Sequence, residues 1–455
     1  MLRETRYQGR HRWAVAALLA GALLAPLAAR ATGDPGGAEV TKWSTLATNV
    51  VAAKNAPPAN PNTGPQHAVT LAIVHAAIYD AVNAIDGRYS VFWAIPTTNP
   101  AGASEKAAAA SAAYNTLVGL FPDQAAALNP EYLASLATVP DGDAKTRGLA
   151  VGREVATTIV ALRSTDGRND PSVGYTFQPA APGVYQKTIG ATLPGYPPFG
   201  PIMPWITKMR PLTMDSPQQF RADGPPALSS YTYGQDLNET KRMGGAVSAD
   251  RTAEQTETAF FHTMNPTLFW GQNYVRYADD QQLGLADTAR LMAMLYVALG
   301  DSIIGCFDSK YYFNFWRPFT AIRAADTDGN AATEVDQTWL PLASTPPHPE
   351  YPAAHGCSAG ATAEIMRRFF RGRAPSFTMS SNVARLNPID HFYERPNDLV
   401  KEIVDARIHG GMHLRVSGVD GAELGQRTAK WIAKHYFQKV RGRGDHAEEG
   451  DDRDD

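Results

Sequence analysis

The chain has 455 residues, 44% of them hydrophobic, enough to bury one large core or two ordinary ones. Its 42 Lys and Arg against 45 Asp and Glu leave a formal charge of -3, which excludes a basic face tracking a phosphate backbone and so argues against nucleic acid as a partner. Two cysteines, Cys306 and Cys357, are too few for a disulfide scaffold and have no zinc spacing, which leaves one bridge in an oxidising compartment or two buried thiols.

Residues 1–31 read as an export signal: Arg3, Arg6, Arg10 and Arg12 precede the apolar run WAVAALLAGALLAPLAA, and Ala29-Arg30-Ala31 supplies small residues for cleavage. A soluble, secreted or periplasmic chain starting near Thr32 is expected. Within AVTLAIVHAAIYDAVNAI, Leu71, Ile73, Val74, Ala77, Ile78 and Val82 fall near helical period. His75 and Asp80 lie on that helix, and His75 reads as a satisfied core histidine because nothing in the sequence converges on it. Alanine-rich helices follow over about 104–120, then from Pro122 and Asp123, then over about 143–163.

From 165 to 226 proline, glycine and aromatic residues dominate, as expected of a long arm that either lids a site or packs over the core. Helical patterns resume at SSYTYGQDLNETKRMGG and TAEQTETAFFHT, and again over about 279–315. There LMAMLYVALGDSIIGCF carries Asp301, which suits a buried core helix better than a membrane span. Strand alternation is scarce, so the fold class is all-α. The expected organisation is a signal peptide (1–31), an N-terminal helical region (39–275) that includes the arm, a second helical domain (276–440) and a charged, disordered tail (441–455).

The chemistry lies in the second region. Lys310 and Arg317 are seven residues apart, two turns of one helix, with Pro318 then ending its regular ladder. Arg407 precedes His413 by six residues, and Gly410 and Gly411 between them predict a helix break that turns His413 back toward the same pocket. In STPPHPEYPAAHG, prolines hold His348 and His355 on a stiff extended segment. Two arginines, a lysine and two histidines, His355 and His413, without matching acids beside them suit a tetrahedral oxyanion. Guanidinium forks donate bidentately, lysine adds a point charge, and imidazoles attack, ligate or move a proton.

The order Lys-x6-Arg-Pro, Tyr-Pro-x-x-His, Arg-x5-His resembles the superfamily of vanadium-dependent haloperoxidases and type 2 phosphatidic acid phosphatases. The segments HAAIYDAVNAI and KYYFNFWRPFTAIR are similar to its exported bacterial haloperoxidase-like members. The resemblance implies a helical bundle in which Lys310, Arg317, Arg407 and the Ala354 N–H hold the oxyanion, vanadate with phosphate as competing occupant. His413 would bond the central atom and His355 would handle protons. His348, with Phe307 near it, implies bromide or iodide as the halide oxidised by hydrogen peroxide. The alternatives are a secreted acid phosphatase working on phosphomonoesters through a phosphohistidine, and a catalytically weakened oxyanion-binding homologue. Stable membrane insertion is not expected, and self-association is left open. The sequence departs from the pattern at Ala353 for serine, Ser417 for aspartate and Phe307 for tryptophan. Loss of the serine donor alone would cost about 1.5 to 3 kcal/mol of anion binding.

Overall fold

The computed structural model describes residues 36–54, 65–187, 201–383 and 385–440. The expected signal segment, the charged tail and residues 188–200 of the arm lie outside them. The described residues contain thirteen α-helices and one two-stranded sheet. Five helices come first: α1 (Gly37–Lys54), α2 (Gln66–Asp86), α3 (Glu105–Leu120), α4 (Ala125–Ala137) and α5 (Asp143–Arg163). After the arm come α6 (Tyr231–Gly244), α7 (Ala253–Phe261), α8 (Pro266–Asp280), α9 (Leu285–Phe313), α10 (Pro318–Arg323) and α11 (Ala354–Phe369). The antiparallel pair β1 (Phe377–Ser381) and β2 (Ile389–Tyr393) then leads to α12 (Pro396–His409) and α13 (Arg415–His435). The fold is all-α, as the periodicity requires.

Helices α2 and α9 are long and apolar enough to cross a membrane, but 89% and 100% of their most apolar windows are buried inside the protein. They are core helices. His75 is buried on α2, its Nε2 3.1 Å from Ser44 Oγ and its ring stacked on Tyr296 of α9 at 4.5 Å. The core reading of His75 therefore holds for its burial and its Nε2, while Nδ1 is buried without a partner. Helix α8 was not legible from periodicity, because PTLFWGQNYVRYADD mixes aromatic and polar residues; its start is fixed instead by Asn265, whose side chain caps it, and by Pro266 in the first turn.

One expected element is corrected. The helix predicted over 279–315 runs from Leu285 to Phe313, and Asn314 closes it in the left-handed region at φ 50. Asparagine tolerates that conformation, so the helix stops between Lys310 and Arg317. Arg317 is the N-cap residue of α10, and Pro318 opens that helix rather than ending the previous one. The two cations therefore come from two elements, not from one helical face.

The described parts of the arm pack on the core. Asp301, fully buried on α9, accepts from Leu212 N at 2.7 Å, Thr213 N at 2.8 Å, Thr213 Oγ1 at 2.5 Å and Met214 N at 3.3 Å. Met203, Trp205 and Ile206 of the arm are buried with it. Helices α11 and α13 pack along a seam of small residues, where a Cβ on Gly360 would lie 2.1 Å from Ala422 O and one on Gly425 2.0 Å from Cys357 O. Backbones this close leave no room for a side chain.

Candidate active site

The segment 344–353 crosses the mouth of the α9–α10 corner before α11 begins at Ala354. Its carbonyls explain the corner's cations. Lys310 Nζ donates to Pro349 O at 3.0 Å and Glu350 O at 2.8 Å. Arg317 donates through Nε to His348 O at 2.8 Å, through Nη2 to His348 Nδ1 at 2.9 Å, and through Nη1 to Met412 O at 3.0 Å and His413 Nε2 at 3.1 Å. Both side chains are fully buried. The break at Gly410 and Gly411, the latter at φ 73, turns His413 back to meet Arg317 as expected.

His413 is held at both ring nitrogens. Nδ1 donates to Glu350 Oε1 at 3.0 Å, and Arg317, always a donor, occupies the Nε2 side, so the neutral ring carries its proton on Nδ1. Glu350 Oε1 also accepts from Leu414 N at 2.9 Å, and Oε2 from Ser417 Oγ at 2.5 Å. The expectation that no acid accompanies the cations is thus corrected. Glu350, the one acid in the proline-rich segment, is wholly buried among them. Its signal in the sequence was its place between His348 and His355, but the contact that gives it meaning spans 63 residues.

A cavity of ≈ 570 Å³ opens beside this cluster. His348, Ala354, His355, Arg407 and His413 form one wall, and apolar groups including Phe260, Met264, Trp270 and Ile303 form much of the rest. Lys310, Arg317 and Phe307 are not on the wall but a layer behind it, and the Phe307 ring supports His348 at 5.0 Å. Arg407 reaches in from α12. Its Nη1 donates to His262 O at 3.1 Å, its Nη2 contacts Met412 Sδ, and its Nε is buried without a partner. His355, on the first turn of α11, lines the cavity with His262. His262 itself is fixed by Glu402, whose Oε1 accepts from His262 Nε2 at 2.8 Å, His391 Nδ1 at 2.8 Å and Tyr393 OH at 2.6 Å. Sequence reading missed this anchor, since its members come from α7's end, β2 and α12. His409 is buried but does not line the cavity. Cys306 and Cys357 are free, buried thiols, with Cys306 Sγ 3.7 Å from Pro352 O, so the bridge is not formed.

The electrostatics follow from burial. Desolvation lowers Lys310 to about 8, Arg317 to about 10 and Arg407 to about 9, and holds His348, His355 and His413 well below the usual histidine value, with the nearby cations adding to the effect. Burial raises the Glu350 carboxyl, and Ser417, Lys310, Arg317 and the Leu414 N–H oppose that rise. Three buried cations against one carboxylate leave a local excess of positive charge. With an orphaned Arg407 Nε and the first-turn N–H of Ala354, this donor set fits a tetrahedral oxyanion.

Residues 290–442 match the VCPO second helical-bundle domain. That segment is thus similar to a domain of the vanadium haloperoxidases. Vanadium chloroperoxidase of Curvularia inaequalis is 27% identical over 429 residues, covering 76% of this chain and 69% of its own. Among solved structures, a bacterial vanadium-dependent iodoperoxidase superposes with a TM-score of 0.72 at 22% identity over 89% of this chain and 98% of that one. A holo-type bacterial vanadium-dependent chloroperoxidase gives 0.66 at 17% identity over 82% and 92%. The matched segment of this chain contains Lys310, Arg317, Glu350, His355, Arg407 and His413, while His262 and the apolar Phe260, Met264 and Trp270 precede it.

Proposed function

We propose that this protein is a vanadate-dependent haloperoxidase that oxidises bromide or iodide with hydrogen peroxide. The observation that carries the reading is His413: a neutral imidazole whose Nδ1–H is donated to Glu350 Oε1 and whose Nε2 faces Arg317, inside a shell of three cations. Once Arg317 Nη1 turns from that nitrogen to an incoming anion, the freed Nε2 lone pair can bond the anion's central atom. Vanadate, when bound, would activate hydrogen peroxide toward halide. Around it, Arg407 and the Ala354 N–H donate to anion oxygens, and Arg317 and Lys310 supply charge from behind. His355 handles the proton, since its ring is neutral and partly open to the cavity. The apolar wall excludes water, and His348 over Phe307 is the residue assigned to halide preference.

The test is an assay of the mature chain with and without vanadate for oxidation of chloride, bromide and iodide by peroxide. Turnover that needs vanadate and runs on bromide or iodide supports the reading; no halide oxidation with vanadate bound overturns it. The same histidine pair, one neutral nucleophilic nitrogen and one proton carrier, also suits cleavage of a phosphomonoester. Hydrolysis of p-nitrophenyl phosphate without halide oxidation would favour that second reading. We also propose that the chain is exported after removal of residues 1–31, to be checked by mass spectrometry of the exported product, where retention of residues before Ala20 in a membrane fraction would refute it.

A further inference from the structure

We infer that Glu350 is the positioning residue of His413, and that Ser417, standing where the superfamily pattern has aspartate, is the substitution that admits it. One oxygen, Oε1, takes both the His413 Nδ1–H and the Leu414 N–H, so it fixes the ring and the backbone that carries it. The other, Oε2, takes the Ser417 hydroxyl at 2.5 Å and is thereby kept from rotating away. All three residues are buried, so no water competes for these bonds. A carboxylate at 417 would stand against Glu350 at the distance the hydroxyl now occupies, and two ionised carboxylates cannot share so small a buried space. The site holds an acid at 350 and a hydroxyl at 417 for that reason.

The consequence is a tautomer. With Nδ1–H bound to Glu350, the lone pair of His413 is at Nε2, on the side of Arg317 Nη1. Removing the carboxylate charge weakens the hold on that tautomer and on the ring's orientation, leaving only the Arg317 Nη1 donor at Nε2 to favour it. Lys310, Arg317 and Arg407 would still attract an anion. Glu350 therefore governs the bond that His413 makes and not the charge that draws the anion in.

This inference rests on the proposed bond between His413 and vanadate, and vanadate and phosphate separate the two effects. Both are tetrahedral anions, but vanadium readily accepts a fifth bond from nitrogen. Calorimetric titration of the full mature chain with each anion should show wild type binding vanadate more tightly than phosphate. In Glu350→Gln, which keeps the shape and an acceptor oxygen, vanadate affinity should fall by about 10- to 100-fold, the usual effect of losing a group that orients a ligand. Phosphate affinity should stay level or rise, since the shell becomes more positive. Ser417→Ala should shift the ratio in the same direction by less, and it serves if Glu350→Gln does not fold. Equal loss of both affinities would show mere structural damage and overturn the inference, as would an unchanged ratio in either variant. A wild type that fails to prefer vanadate would instead overturn the parent reading, and it does so before any variant is made.

Discussion

His413 is gripped at both ring nitrogens, by Glu350 and Arg317, whereas His355 stands at the cavity wall on the first turn of α11. Their losses should differ in kind. His413→Ala is expected to abolish both anion capture at the central atom and turnover, because no other cavity imidazole has a carboxylate on one nitrogen and a cation on the other. His355→Ala should keep much of the anion affinity supplied by Lys310, Arg317 and Arg407, while turnover drops by about 10²- to 10⁴-fold. Vanadate titration beside steady-state rates checks both, and His409→Ala, outside the cavity wall, should match wild type in anion binding. The chemical identities of this site were legible in the sequence, since lysine, arginine and histidine spacing carries them. Glu350 was not, because a carboxylate's role depends on which proton it accepts, and here the donors lie more than sixty residues away in His413, Leu414 and Ser417.

Among the elements, α11 matters most, because it carries His355 and lies against α13 along the glycine seam. Gly360→Ala would press a methyl group into Ala422 O, and the helices would have to move apart. The expected cost is about 1 to 3 kcal/mol, typical of overpacking, read as a lower thermal midpoint. Gly174→Ala is the contrast: nothing lies within 4 Å of its Cβ position, so its midpoint should hardly move. The helices themselves were readable where apolar residues recur at helical period, as in α2 and α5. The stop at Asn314 was not, because a single left-handed residue leaves no periodic trace, and Lys-x6-Arg looked like two continuous turns. The misreading still placed both cations at one corner, since α9's last turn and α10's first residue adjoin it.

For the whole molecule, the buried excess of positive charge makes stability depend on the anion. Phosphate or vanadate above its Kd should raise the unfolding free energy with the logarithm of concentration, by about 2.7 kcal/mol at a hundredfold excess over Kd, read as a higher thermal midpoint. Acid should act the other way. His75, held to about 3 by burial, stays neutral in the fold while the unfolded chain's imidazole takes a proton below about 6.5. The unfolded chain then binds more protons, so stability is level above pH 6.5 and falls as pH drops from there toward 3. Urea unfolding between pH 7 and 5 should show a fall that is shallower in His75→Gln by up to about 1.4 kcal/mol per pH unit. An all-α fold was legible from the scarcity of alternation, but the course of the arm was not, because Pro- and Gly-rich chain has no period and is placed by partners far along the sequence. Its chief anchor is Asp301, 87 to 89 residues beyond the backbone it binds. During synthesis the arm emerges long before that carboxylate does. Met203, Trp205 and Ile206 must therefore wait uncovered until α9 follows them out, and a chain stalled or truncated before residue 301 would present a sticky, unanchored arm to chaperones and proteases.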